Sequence, residues 1–203
     1  MVQSFNFEAV KNVFYLFKPS YFKPKLIVEN FAEINFHSLK QQGIKRLVFD
    51  KDNCITEPYC DDIYSKYTEH WKECLNTFGK DNVFILSNNI GTQSEDKEFK
   101  KADKLSLVYN VKVLKHIKKK PNLDDLTYSE IVQNHEPKEI CMIGDRLFTD
   151  ILLANKYQFY SILTKAFSLD KDNKWAKAVS FVIFIELCYV YIVVVFLDKI
   201  FGI

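Results

Sequence analysis

Two carboxylates spaced two residues apart, Asp50 and Asp52, stand at the end of the apolar run Leu47-Val48-Phe49. A short continuous apolar run is the pattern of a strand buried on both faces. In an open parallel sheet, ligands bind beyond the carboxyl ends of such strands. With an extended chain through Lys51, both side chains leave on one side. Two carboxylates held there divide labour, one ionised as nucleophile and one with a raised pKa as proton donor, or both surround a hard cation. Asp-Lys-Asp-Asn also suits a plain polar turn, since Asp and Asn are favoured turn residues. Two further stretches repeat the design, however. Val83-Phe84-Ile85-Leu86 ends in Ser87-Asn88-Asn89, and Glu139-Ile140-Cys141-Met142-Ile143 ends in Gly144-Asp145, with Asp150 soon after. Three polar strand ends in one parallel sheet converge on one crevice, which chance produces far less readily than a single one.

Carboxylates, a strand-end serine and a lysine from Lys118-Lys119-Lys120-Pro121 suit a magnesium site that handles a phosphoryl group. Phosphoryl transfer needs an in-line nucleophile and positive charge around the equatorial oxygens, and Asp50 can be that nucleophile through an aspartyl-phosphate. Taken alone, the lysine run reads equally well as a solvated surface. The 28 basic and 26 acidic residues leave a net charge of +2, so no basic excess argues for nucleic acid. The five cysteines, Cys54, Cys60, Cys74, Cys141 and Cys188, form no metal-binding spacing and point to a reducing compartment. His37, His70, His116 and His135 form no ligand pair.

The elements that must position these residues follow from hydrophobic periodicity. Val10, Val13, Phe14 and Phe17 recur at helical spacing, so the opening predicts an amphipathic helix, suited to a membrane interface or to the domain's own surface. Pro19 and Pro24 interrupt it. Phe36 to Gly43 predicts a short helix, and Asp61 to Phe78 a longer one closed by Gly79. Glu95 to Asp103 predicts a charged, solvated helix, Val111 to Leu114 a strand, the stretch from Pro121 to Asn134 a helix, and Phe159 to Leu163 a last strand. Strand, helix, strand means right-handed parallel crossovers. The fold class expected is α/β, a doubly wound parallel sheet.

Four ordered stretches, Asp50-Lys-Asp52-Asn-Cys-Ile-Thr56, Ser87 after Val-Phe-Ile-Leu, Lys120 before Pro121, and Gly144-Asp145-Arg-Leu-Phe-Thr-Asp150, resemble the motifs of the haloacid dehalogenase (HAD) superfamily of phosphatases. The closer wording, with Pro58, Ser87-Asn88-Asn89 and Val113-Leu-Lys-His116, is similar to the mitochondrial phosphatidylglycerophosphate phosphatases of fungi and plants. The likeness runs from about Phe36 to Thr164 and is weak at both ends. It implies a Rossmann-type HAD-like domain with Asp50 as nucleophile and Mg²⁺ ligand, and Asp52 as general acid then base with its carbonyl on the metal. It further implies Ser87 and Lys120 on the phosphoryl oxygens, Asp145 completing the metal sphere, and Asn88 and Asp150 in support. Lys119 could replace Lys120, because the triple run blurs the register. The short spacing from Asp52 to Ser87 leaves little room for a cap domain, and an open site suits a headgroup presented by a membrane.

The organisation expected is an N-terminal extension (1–35), a phosphatase domain (36–170) and an apolar C-terminal helix (171–203). Ala178 to Leu197 carries one charge, Glu186, and at about 1.5 Å per residue could span a bilayer of about 30 Å. A helix closing the core fits the same residues. Lys171, Lys174 and Lys177 precede it and would keep the domain on the matrix or cytoplasmic face. Besides phosphatidylglycerophosphate in the inner mitochondrial membrane, a soluble phosphate ester as substrate and a non-catalytic membrane adaptor are the competing readings.

Overall fold

The computed structural model describes Tyr15 and residues 18–165. The expected helix around Val10 to Phe17, apart from Tyr15, and the apolar stretch Ala178 to Leu197 lie outside those residues. No helix among the described residues is long and apolar enough to cross a membrane.

Six strands form one all-parallel sheet: β1 (Leu26–Val28), β2 (Arg46–Phe49), β3 (Val83–Ile85), β4 (Lys112–Val113), β5 (Ile140–Gly144) and β6 (Tyr160–Thr164). Their order across the sheet is β1-β6-β5-β2-β3-β4. From β2 the chain steps outward through β3 to β4, then returns to β5 on the other side of β2. The order therefore reverses between β2 and β5, which makes the gap beyond their carboxyl ends the crevice where such folds bind ligands.

Alternation along the strands sorts the core into two layers. Leu47 and Phe49 of β2, Val83 and Ile85 of β3, and Cys141 and Ile143 of β5 face α1 (Phe36–Gln41), α2 (Thr68–Phe78) and α3 (Lys100–Tyr109). Val48, Phe84, Ile140 and Met142 face α4 (Asp125–Val132) and α5 (Leu152–Lys156). Phe31 anchors the first layer, with ring centroids 5.8 Å from Phe36, 5.7 Å from Phe49 and 5.3 Å from Tyr67. The doubly wound architecture expected from the sequence is the one observed.

Boundaries differ where local tethers outweigh periodicity. Residues 61–64 do not join α2, because the Tyr64 amide bonds the Ile55 carbonyl at 3.0 Å and Asp61 pairs with Lys101 and Lys104. The charged helix expected over Glu95 to Asp103 instead starts at Lys100, runs to Tyr109 and buries Ala102, Leu105 and Tyr109. Asp96 fixes that start, since its carboxylate accepts from the Gly91, Lys101 and Ala102 amides. β1 carried no sequence signal: three residues after Pro24 are too few for a period. Arg46, unexpected in a buried strand, turns its guanidinium onto the Glu130 and Ile131 carbonyls at 2.8 and 2.9 Å. A cation there satisfies the unpaired carbonyls and negative dipole end of α4.

Candidate active site

Asp50 follows β2 directly, and its amide donates to the Ile143 carbonyl at 2.8 Å, which extends the ladder with β5 by one residue. The chain then curls. The Lys51 carbonyl accepts from the amides of Ile55 at 3.0 Å, Thr56 at 3.1 Å and Cys54 at 3.3 Å. This tight turn, over residues 53–55, comes after Asp52, which pairs with Thr56 in an isolated parallel bridge. The Asp52 carboxylate is not one of the three that crowd together with Asp50; it accepts from Lys51 Nζ at 2.7 Å and the Tyr59 amide at 3.1 Å. Lys51 itself is buried beneath the turn.

The cluster consists of Asp50, Asp145 and Asp150, each offering an oxygen within 4.8 Å of the others. Lys120 reaches it from the loop after β4, with Nζ 2.7 Å from Asp50 Oδ1 and 2.7 Å from Asp150 Oδ1. Burial lowers the pKa of an ammonium, but Asp150 and Asp50 outweigh it and hold Lys120 above its ordinary value. Burial, reinforced by Asp50 and Asp150, pushes the Asp145 carboxyl far above the usual carboxylate range. Burial also raises Asp150, against the pull of Lys120. Asp145 Oδ1 is buried without a hydrogen-bond partner among the described residues. Three crowded hard oxygen donors, one of them unsatisfied, fit a small divalent cation, which takes one or two carboxylates directly. Asp150, expected only in support, is fully buried and is placed with the other two.

Asp150 is held by its setting in a wide turn over Leu147–Ile151, where Oδ2 accepts from the Arg146 amide at 3.1 Å. Gly144 leaves the room: a Cβ there would meet Asp150 Cγ and Oδ2 at 2.4 Å. Gly144→Ala should therefore displace Asp150 and destabilise the protein by about 1–3 kcal/mol, the usual cost of overpacking. Thermal melting of the variant checks this, and an unchanged Tm with full activity would refute it.

Ser87 and Asn88 follow β3. Ser87 is buried, and its Oγ accepts from the Asn89 amide at 3.3 Å. Asn88 grips the backbone of Lys120 at both groups, accepting from its amide at 2.7 Å and donating to its carbonyl at 3.4 Å. Of the two lysines left open, Lys120 is in the cluster, while Lys119 pairs with Glu95 at 2.7 Å nearer the surface. Gly91, with φ +76°, passes so close to the Lys120 loop that a Cβ would lie 2.1 Å from the Leu114 carbonyl oxygen. Two residues of this region went unassigned in the sequence, Lys51 and His116. A lysine between two strand-end aspartates and a histidine close before a lysine run were the available signals, and neither type declares its burial.

A family model described as mitochondrial PGP phosphatase matches residues 7–167. The chain is 37% identical over 152 residues to the mitochondrial phosphatidylglycerophosphatase of Saccharomyces cerevisiae, covering 72% of this chain and 80% of the yeast protein. It is 34% identical over 148 residues to a chloroplastic and mitochondrial phosphatidylglycerophosphate phosphatase of Arabidopsis thaliana, covering 71% of this chain but only 41% of that protein. A probable phosphatase of Bacillus subtilis is 30% identical over 145 residues, which cover 70% of this chain and 77% of the bacterial protein. No solved structure matches the chain significantly.

Proposed function

Because the chain belongs to the mitochondrial PGP phosphatase family, we propose that it hydrolyses phosphatidylglycerophosphate to phosphatidylglycerol and phosphate. The observation that carries this reading is Asp50 at the topological switch point, its Oδ1 fixed by a buried Lys120. With one oxygen so held, Oδ2 attacks phosphorus and the bond to the glycerol oxygen breaks. Asp52 gives its proton to that leaving oxygen, then takes one from the water that hydrolyses the aspartyl-phosphate and releases phosphate. Ser87 donates to the phosphoryl oxygens and Lys120 supplies positive charge beside them. Asp50, Asp145 and the Asp52 carbonyl would hold Mg²⁺, with Asp150 behind them; bound there, the ion neutralises charge on the phosphate.

The reading places the domain at a bilayer surface, on the matrix side of the inner mitochondrial membrane, with the apolar stretch in 171–203 as its anchor. Phosphate release from phosphatidylglycerophosphate in mixed micelles, measured against soluble sugar phosphates and nucleotides with and without Mg²⁺, tests substrate and metal together. Turnover of the lipid should exceed that of every soluble ester and stop in excess chelator. Faster release from a soluble ester would transfer the assignment to that substrate.

The metal has a second readout in stability. Asp145 and Asp150 have folded pKa values raised above the unfolded ones, so their contribution to stability is present at low pH and lost as pH rises through those values. A cation needs the ionised carboxylates and offsets that loss. The stabilisation on adding Mg²⁺, followed through Tm, should therefore be larger at pH 8 than at pH 5, reaching about 2.7 kcal/mol at pH 8 when Mg²⁺ is about a hundred times its Kd there. An equal or absent rise at both pH values would remove Mg²⁺ from this cluster.

A further inference from the structure

His116 is buried between the loops that carry Ser87 and Lys120, and the chemistry above gives it no part. Its backbone laces the loops together: the amide donates to the Gly91 carbonyl at 2.7 Å, and the carbonyl accepts from the Gln93 amide at 3.0 Å. That ladder fixes Gly91 and Gln93 but leaves Ser87 several residues upstream of it and Lys120 several residues downstream. Asn88 already pins the Lys120 backbone, and the ring adds a second tie between the same loops, at Lys118 and Ser87. Nδ1 lies 2.7 Å from the Lys118 carbonyl oxygen, and Nε2 lies 2.9 Å from that of Ser87 and 3.3 Å from the Thr92 hydroxyl.

Carbonyl oxygens only accept, so the ring must donate to them. In the neutral ring, which burial favours by lowering its pKa, one nitrogen donates, Nδ1 to Lys118 or Nε2 to Ser87, while the Thr92 hydroxyl gives its own proton to the Asn88 carbonyl at 2.9 Å; a second ring proton makes both donations at once. The charged groups bearing on the ring are Lys120, which opposes that proton, and Asp124, which favours it. The Asp124 carboxylate is itself held by the Ile117 and Thr127 amides.

We propose that His116 is a positioning residue of the phosphoryl site, a clasp between the Lys118 carbonyl and the Ser87–Thr92 loop that sets the separation of the Ser87 hydroxyl and the Lys120 ammonium. It touches no reacting atom and acts through those two groups. The assignment rests on reading Ser87 and Lys120 as the residues that hold phosphoryl oxygens.

Binding of inorganic phosphate by the full chain, measured calorimetrically for the wild type, His116→Phe and His116→Gln, separates the possibilities. Phenylalanine keeps a ring but donates nothing, whereas glutamine keeps an N–H donor. His116→Phe should bind phosphate at least about tenfold more weakly, and His116→Gln within about threefold of the wild type. The advantage of histidine over glutamine should grow as pH falls through the pKa of the ring. Equal affinity in all three proteins, or equal loss in both variants, would overturn the clasp. So would a glutamine variant that no longer melts cooperatively, since His116 would then be packing alone. A wild type that binds no phosphate would instead overturn the reading of Ser87 and Lys120, and the clasp would fall with it.

Discussion

Asp50→Asn should lower phosphatase turnover by at least about a thousandfold, equivalent to about 4 kcal/mol of lost transition-state stabilisation. A carboxamide is nearly isosteric with the carboxylate and its oxygen can still accept from Lys120 Nζ, which lies 2.7 Å from Asp50 Oδ1. What it lacks is a nucleophilic oxygen. The fold should not suffer, because the substitution removes one of three crowded carboxylates and so relieves the charge repulsion that Asp145 and Asp150 meet from Asp50. Tm in the absence of metal is therefore expected to stay level or rise while turnover collapses. Acid quenching during turnover of a ³²P-labelled substrate should trap label on the wild-type chain and none on the variant. Residual turnover above a tenth of the wild type would refute Asp50 as nucleophile.

Lys120→Met carries the other large effect, and it strikes stability as well as activity. Lys120 is 2% exposed and holds both Asp50 and Asp150. Removing one partner from a buried charge pair costs about 3–5 kcal/mol, because the remaining charge is left uncompensated. The cluster can lessen the loss by taking up protons, so the variant should be least destabilised at low pH. Adding Asp150→Asn to Lys120→Met removes one stranded charge and should recover part of the Tm without recovering turnover. Urea melts of the single and double variants at pH 5 and 8 check this. If the single variant matches the wild type at pH 8, the ammonium is not what neutralises the cluster.

The strand ends were the most legible part of the molecule. Buried strands such as Leu47 to Phe49 and Ile140 to Ile143 announce themselves by unbroken apolar runs, and polar residues at their ends stand out against that background. Asp50, Ser87 and Asp145 were visible for this reason, and so was the parallel architecture. What the pattern could not carry was curvature. Asp-Lys-Asp-Asn suits a turn without saying which carbonyl closes it, and periodicity does not say that Asp50 would crowd with Asp145 and Asp150 while Asp52 bonds Lys51 and the Tyr59 amide. The burial of Asp150 was not visible, because it depends on the missing side chain of Gly144, a contact across a turn that periodicity does not encode. His116 and Lys51 are polar types whose usual place is the surface. Only their partners reveal that they are inside.

The two hydrogen bonds from Asn88 to Lys120 carry a last consequence. A carboxamide that holds the amide and the carbonyl of one residue recognises a position along the chain and is indifferent to the side chain there. It works as an index pin. Three consecutive lysines offer three chemically identical candidates, and the pin selects the one that lies the right number of residues beyond the His116 ladder. Since one residue of extended chain advances about 3.3 Å, a slip of one position would carry the selected ammonium beyond hydrogen-bonding reach of Asp50 and Asp150. The loop from Ile117 to Lys120 is therefore specified by its length before its composition. Substitutions at Lys118 leave the pinned position unchanged, whereas inserting or deleting a single residue there would bring another side chain to the carboxylates.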